Sequence, residues 1–315
     1  NKLIPLVFGH FKQFLFVKWL LLISALYIVE GYSNDYLVKG ELSNKYQNLS
    51  WQKLCDGFAG CEGAKWVEDE DGLSLLFAAH HDHLVFKWSE ERGLSLWKSN
   101  SPEATSFRPD GQGGYYVVEQ ATRRLTRWNK EGETVEVLTD SYKGKKLNRP
   151  NDARVDQLGR VWFTDPNYLF KKRPHEVQEL SGQYVFCYDP ISKTTVAPIK
   201  NFKSPNGIAI DSFNKVLYVG DSSSSSIYKY KINVDGTLED LGLFYKLKKR
   251  GLDGLCLDTE NNLWFAGMSE ISKLDKQANI VLSINMPNKP TSMDFHKSGW
   301  LCVTLRDSAY VTKLK

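Results

Sequence analysis

Four residues along the chain are good oxygen ligands in matching surroundings: Glu62, Asn151, Asn206 and Asp253. Their contexts repeat as Glu62-Gly63, Pro150-Asn151-Asp152, Pro205-Asn206-Gly207 and Asp253-Gly254. Two carboxylates and two amide carbonyls make a donor set for one hard divalent cation. Ca²⁺ is the best match, with Mg²⁺ and Zn²⁺ as alternatives. No His or Cys stands at these positions, which weighs against zinc. Each residue alone has a plainer use in a turn or a cap. It is their equivalent placement that argues for a common site.

That placement is defined by a repeat. A short turn recurs at Asp69-x-x-Gly72, Asp110-x-x-Gly113, Asp156-x-x-Gly159, Asp211-x-x-Asn214, Asp258-x-x-Asn261 and His296-x-x-Gly299. The turn-final residues are of the types that tolerate positive φ. Successive turns lie 41, 46, 55, 47 and 38 residues apart, a propeller-blade period. Each turn feeds a strand rich in aromatic and β-branched residues, such as Val161-Trp162-Phe163 or Leu263-Trp264-Phe265. A second strand follows that alternates apolar with polar residues, as in Ile227-Tyr228-Lys229-Tyr230. No sustained helical period is found after residue 50. The predicted fold is all-β, a six-bladed β-propeller with a central metal-binding channel. A β-sandwich is the less suitable alternative, because its turn signals recur every 8–12 residues. Thr105, Asn151, Asn206, Asp253 and Thr291 each stand five residues before a turn, with Glu62 displaced by two. All six are expected to face the channel.

Composition is ordinary for a folded chain: 315 residues, 42% hydrophobic and 25% charged. The aromatic content of 13% suits strands. A net charge of +4, with no Lys/Arg run longer than Lys248-Lys249-Arg250, gives no basis for nucleic-acid binding. Near the start, Lys2, Lys12 and Lys18 precede an apolar run from Trp19 to Val29, with Gly31 and Ser33 beyond it. This is the pattern of a signal peptide cleaved after Ser33. An uncleaved anchor over Phe14–Val29 is the alternative. The expected organisation is a leader or anchor over 1–33, a linker over 34–50 and the propeller over 51–315. The expected product is secreted or periplasmic, without stable membrane association once cleaved, and monomeric. Of five cysteines, Cys55 and Cys61 flank a flexible loop and could bridge on export. Cys187, Cys256 and Cys302 sit among alternating apolar residues and read as buried thiols.

The stretch Leu147-Asn148-Arg149-Pro150-Asn151-Asp152, with Gly159-Arg160 and Trp162-Phe163-Thr164-Asp165-Pro166 after it, resembles the SMP-30/gluconolactonase/luciferin-regenerating enzyme family. Ser204-Pro205-Asn206-Gly207-Ile208, Leu252-Asp253-Gly254-Leu255 and Pro290-Thr291-Ser292 extend the likeness from about Cys61 to the C-terminus. The Asp165-Pro166-Asn167-Tyr168 loop looks most like exported gluconolactonases. The resemblance implies one catalytic divalent metal on Glu62, Asn151, Asn206 and Asp253. It also implies a substrate-contacting arginine at Arg149, with Asn151 close to the substrate. Ala153 stands where animal members usually have Gly. Residues 171–181 have no clean match, so an acidic substrate contact there falls to Glu176 or Glu179.

The implied activity is metal-dependent opening of a sugar lactone, a small-molecule substrate. Asp253 would ligate the metal and take a proton from water. Three other functions compete: a non-catalytic binding module, a calcium-binding regulator, and a phosphotriester hydrolase on the same site. The cluster His80-His81-Asp82-His83 reads most simply as a polar loop. Its sharper reading places His81 or His83 on the substrate rim as a proton relay.

Overall fold

Asp156 shows how the repeated turn is built. Its Oδ1 accepts the backbone N–H groups of Leu158 and Arg160 at 2.9 and 3.0 Å. Its Oδ2 accepts Nε1 of Trp162 at 2.9 Å, two residues into the strand that follows. Asp258 does the same for Asn262 and Trp264. One carboxylate therefore closes the turn and satisfies the only polar atom of a large buried side chain.

The computed structural model describes residues 38–40, 46, 48–70, 72–168 and 175–314. The leader or anchor expected over 1–33 lies outside them. The strands form six antiparallel sheets, the predicted six-bladed propeller. Blade one comprises Cys61–Asp69, Gly72–Ala79, Leu84–Ser89 and Gly93–Lys98; blade two comprises Ala104–Pro109, Tyr115–Glu119, Arg124–Trp128 and Thr134–Thr139. Blade three holds Ala153–Val155, Val161–Asp165, Gln183–Asp189 and Thr194–Phe202; blade four holds Pro205–Asp211, Val216–Asp221, Ser226–Ile232 and Leu238–Lys246. Blade five runs Leu255–Leu257, Leu263–Ala266, Glu270–Leu274 and Ile280–Asn285, and blade six begins Pro290–Phe295, Trp300–Leu305 and Ala309–Lys313. A small hairpin, Ser141–Tyr142 with Lys145–Lys146, precedes blade three. Among the described residues no helix is long and apolar enough to cross a membrane.

The ring is closed from the N-terminal side. Gln52–Cys55 is the outermost strand of blade six, antiparallel to Ala309–Lys313. Thr312 Oγ1 also donates to the Ser50 carbonyl at 2.8 Å. The linker expected over 34–50 departs from this picture. Val38–Lys39 pairs with Ile284 and Ser283 as a fifth strand on blade five. Tyr46 and Leu49, with Trp51, are buried against Trp264, Ile284 and Leu301. The reason is apolar burial: these side chains cover the junction of the last two blades, which a solvated tether would leave open.

Each blade is buried on both faces, and the period-two alternation of its strands divides the residues between two neighbours. Val161 and Phe163 pack with Val118 and Leu125 of blade two. Trp162, between them, packs with Ile208, Leu217 and Val219 of blade four. Cys187, Cys256 and Cys302 are buried thiols, as the alternation predicts. Cys55 and Cys61 are thiols too, and the Cys55 contact together with burial pushes the Cys61 thiol up.

Innermost strands approach one another closely around the channel. A Cβ on Gly254 would stand 2.5 Å from the Thr291 carbonyl oxygen of blade six. A Cβ on Gly207 would stand 2.5 Å from the Asp253 oxygen and the Leu255 nitrogen. The glycine after each of these ligand candidates is thus the residue that lets adjacent blades meet. Gly254→Ala should lower stability by about 1–3 kcal/mol in chemical denaturation, the ordinary cost of overpacking. The control Ile191→Ala, at a side chain 87% exposed, should stay within about 0.5 kcal/mol.

Candidate functional site

The candidate ligands all come from the entrances of innermost strands, at one end of the channel. Glu62 is the second residue of its strand and Asn206 the second of its own. Asn151 and Asp253 lie two residues ahead of theirs. Glu62, Asn151 and Asn206, with Thr105 and Thr291, line a polar void of about 10 Å³, about the room of one water or ion. Asp253 joins them through Asn206, whose Nδ2 donates to Asp253 Oδ1 at 2.9 Å.

The two threonines face inward but are committed to the backbone. Thr105 Oγ1 donates to the Asn151 carbonyl at 2.7 Å and Thr291 Oγ1 to the Cys61 carbonyl at 2.6 Å. Thr164 Oγ1 donates to the Asn206 carbonyl, also at 2.7 Å. These hydroxyls staple neighbouring blades and fix the backbone from which the ligand side chains project. Also lining the void, Asp152 Oδ1 accepts Arg108 Nη2 at 3.0 Å and Arg154 Nη1 at 2.7 Å. Arg154 then reaches the Leu255 carbonyl of blade five at 2.6 Å. This charged layer crosses the channel below the ligand candidates.

Arg108 and Arg154 also line the void, where Asp152 meets their charge. Burial and the nearby Asp253 carboxylate push Glu62 well above its ordinary value, against the pull of Lys289. Burial also raises Asp253, opposed by Lys289, Asn206 and Arg306. Lys289 Nζ donates to Asp253 Oδ2. Glu62 and two amides facing a small void, with the desolvated Asp253 carboxylate held beside it on Asn206, are a set that a hard divalent cation would satisfy. The Asn206 amide presents its nitrogen to Asp253, so offering Oδ1 to a cation requires the amide to flip. The residues present fit the group that the sequence implies.

The other predicted residues take different places. Arg149 is fully buried, its Nη2 paired with Glu103 and its Nη1 with Glu176 at 2.9 Å. Contact between Arg149 and a substrate therefore requires Glu176 to let go. Of the two acidic candidates, Glu176 is the one brought to Arg149. Glu179 is exposed and accepts the backbone N–H of Lys146 in the small hairpin at 2.7 Å. His81 and His83 are exposed on the connection after the second strand of blade one, which starts with the short 3₁₀ turn His80–Asp82. His80 and His81 donate backbone N–H groups to the carbonyls of Gly60 and Ala59, immediately ahead of Glu62. The turn is thus on the rim at the ligand end. His83 Nδ1 is 3.0 Å from the Ser101 carbonyl.

Two site residues were not anticipated. Lys289 precedes the innermost strand of blade six, and nothing in its local pattern sets it apart from other lysines. Tyr168 stands in the loop after Asp165-Pro166. Its hydroxyl is 2.7 Å from Ser222 Oγ. Burial and the charge of Asp253 push the phenol up to about 12, so it stays a donor. Behind this loop, Asp165 is buried and accepts the Asn148 N–H at 2.8 Å. Burial raises it to about 8. The folded protein then holds a proton that the unfolded chain releases near pH 4, so this group's contribution to stability falls as pH rises from about 4 to about 8. Asp165→Asn should remove that part of the slope in denaturation measured across this range.

Residues 61–306 match the family described as the SMP-30/gluconolactonase/LRE-like region. A gluconolactonase of Zymomonas mobilis is 28% identical over 239 residues, covering 70% of this chain and 64% of the relative. The chain thus spans a little under two thirds of that relative's length. A lactonase drp35 of Staphylococcus epidermidis is 29% identical over 249 residues, 76% of this chain and 73% of the relative. The solved structure of a gluconolactonase of Xanthomonas campestris superposes with a TM-score of 0.82 at 22% identity, covering 91% of this chain and 97% of the other. At that identity the superposition speaks for the fold.

Proposed function

The chain belongs to the SMP-30/gluconolactonase/LRE-like family, and on that premise we propose that it is a lactonase that opens a sugar lactone at the channel site. The single observation behind this reading is that Glu62, Asn151 and Asn206 line one polar void, with the Asp253 carboxylate held beside it on the Asn206 amide. The lactonase names of the relatives support the reaction class. Ca²⁺ is the proposed metal because every donor is an oxygen. When bound on Glu62, Asn151, Asn206 and Asp253, such an ion supplies Lewis-acid polarisation of the lactone carbonyl and a more acidic water.

The chain's own residues do the rest. Asp253 is placed to accept the proton of the attacking water through its carboxylate. The new bond joins the water oxygen to the carbonyl carbon. The ring C–O bond breaks, the ring oxygen takes up a proton, and a hydroxy acid results. Without metal, the Asn206 amide orients Asp253. Tyr168 overhangs the same corner and is placed to donate to a substrate hydroxyl or to the ring oxygen. The Arg108–Asp152–Arg154 layer closes the channel from below, so substrate enters from the end that holds the His80–Asp82 turn. Arg149 is held by Glu103 and Glu176, and meets substrate only if Glu176 moves.

Turnover of δ-gluconolactone should require an added divalent ion and should be lost in EDTA. Asp253→Ala should lower kcat/KM by about 10³-fold, the range of a lost general base. Full activity of that variant, or of metal-stripped protein, contradicts the scheme. Metal binding without turnover of any lactone or phosphotriester favours the binding-module or regulator reading. Tyr168→Phe should lower kcat/KM about tenfold without changing the fold, the worth of one hydrogen bond made to substrate.

A further inference from the structure

Arg108 and Arg154 line the void and spend their charge on Asp152, whereas Lys289 donates to a proposed metal ligand, Asp253. The Lys289 backbone is held from several sides. Its N–H donates to Asn288 Oδ1 at 2.7 Å, its carbonyl accepts the Arg306 N–H at 3.0 Å, and Pro290 follows it. Asn288 is anchored in turn, through Nδ2 to Asp307 Oδ2 at 2.6 Å. The side chain is 16% exposed and reaches from blade six to Asp253 of blade five. Asp253 is thereby taken on both oxygens, Oδ1 by Asn206 and Oδ2 by Lys289. Glu62 feels the same ammonium.

A divalent cation on this site meets an ammonium already seated on one of its ligands. Like charges of +2 and +1 repel twice as strongly as two single charges at the same distance, and the partly buried setting weakens screening. What Lys289 offers in return is one charge-assisted hydrogen bond that orients Asp253, a job Asn206 already shares. Repulsion is the larger effect. Resting on the metal reading of the site, we propose that Lys289 is a built-in competitor for the metal. Its ammonium neutralises Asp253 in the metal-free protein and gives up that carboxylate when a divalent cation binds. The affinity of the site is thereby held down so that the ion exchanges.

The test is calorimetric titration of metal-stripped protein with Ca²⁺, on the wild type and on Lys289→Met, Lys289→Gln and Lys289→Arg. Far-UV dichroism verifies folding of each. Lys289→Met should bind Ca²⁺ at least about tenfold tighter than the wild type, because the repelling charge is gone. It should also show a larger Ca²⁺-induced rise in Tm, following the tighter binding. Lys289→Arg, which keeps the charge, should stay within about threefold of the wild type. If Lys289→Met does not fold, Lys289→Gln gives the same comparison with a polar side chain in place. A wild type that binds Ca²⁺ while the neutral variants bind equally or more weakly overturns the competitor role and leaves the metal reading standing. Failure of every form to bind Ca²⁺, Mg²⁺ or Zn²⁺ overturns both.

Discussion

Ring closure is the constraint on which the rest depends. Six sheets of similar size can close on themselves only if their innermost strands converge on one axis, which removes open sheet edges except at the rim. Equivalent positions of six distant sequence segments then meet in one small volume. Residues separated by 191 positions, Glu62 and Asp253, become electrostatic neighbours there. The closure itself is held by Gln52–Cys55 on the last blade and by the Thr291 hydroxyl on the Cys61 carbonyl. A carboxylate pair of this kind is costly anywhere else, since each group loses water and faces a like charge. It persists because the sheets that present it are buried on both faces and do not move apart.

The same convergence explains why the ligand candidates keep company with glycine and threonine. Where strands crowd at an axis, a side chain on the wrong residue strikes the next blade, so Gly207 and Gly254 follow the ligand candidates. Where carbonyls point across a junction, a short hydroxyl satisfies them, as at Thr105, Thr164 and Thr291. Polar groups at the axis therefore divide into those spent on joining blades and those left facing the void. Only the second kind is available for chemistry.

Much of this was legible from residues alone, for physical reasons. The turn Asp156-x-x-Gly159 with Trp162 beyond it is a local device, and local devices leave a local signature. Period-two alternation marked the blade strands and the buried Cys187, Cys256 and Cys302. Equivalence of position along the repeat pointed to Glu62, Asn151, Asn206 and Asp253. What stayed hidden depends on contacts between distant segments. Lys289 looks like any surface lysine until blade six is laid against blade five. Tyr168 belongs to an irregular connection whose path no periodicity predicts. The fate of Arg149 was hidden for the same reason, since Glu103 and Glu176 reach it from opposite directions in the chain. The segment 34–50 looked like a linker because a two-residue strand and a few buried aromatics leave no pattern.

The proposed chemistry depends on a metal bound by these four side chains. Crystals of the protein soaked with Mn²⁺, with anomalous scattering collected at a wavelength where manganese is strong, test it most directly. The prediction is one dominant anomalous peak in the channel within bonding distance of oxygens from Glu62, Asn151, Asn206 and Asp253, with the Asn206 amide flipped and Lys289 withdrawn from Asp253. A channel without a peak, or a dominant peak bonded to other residues, would contradict the account.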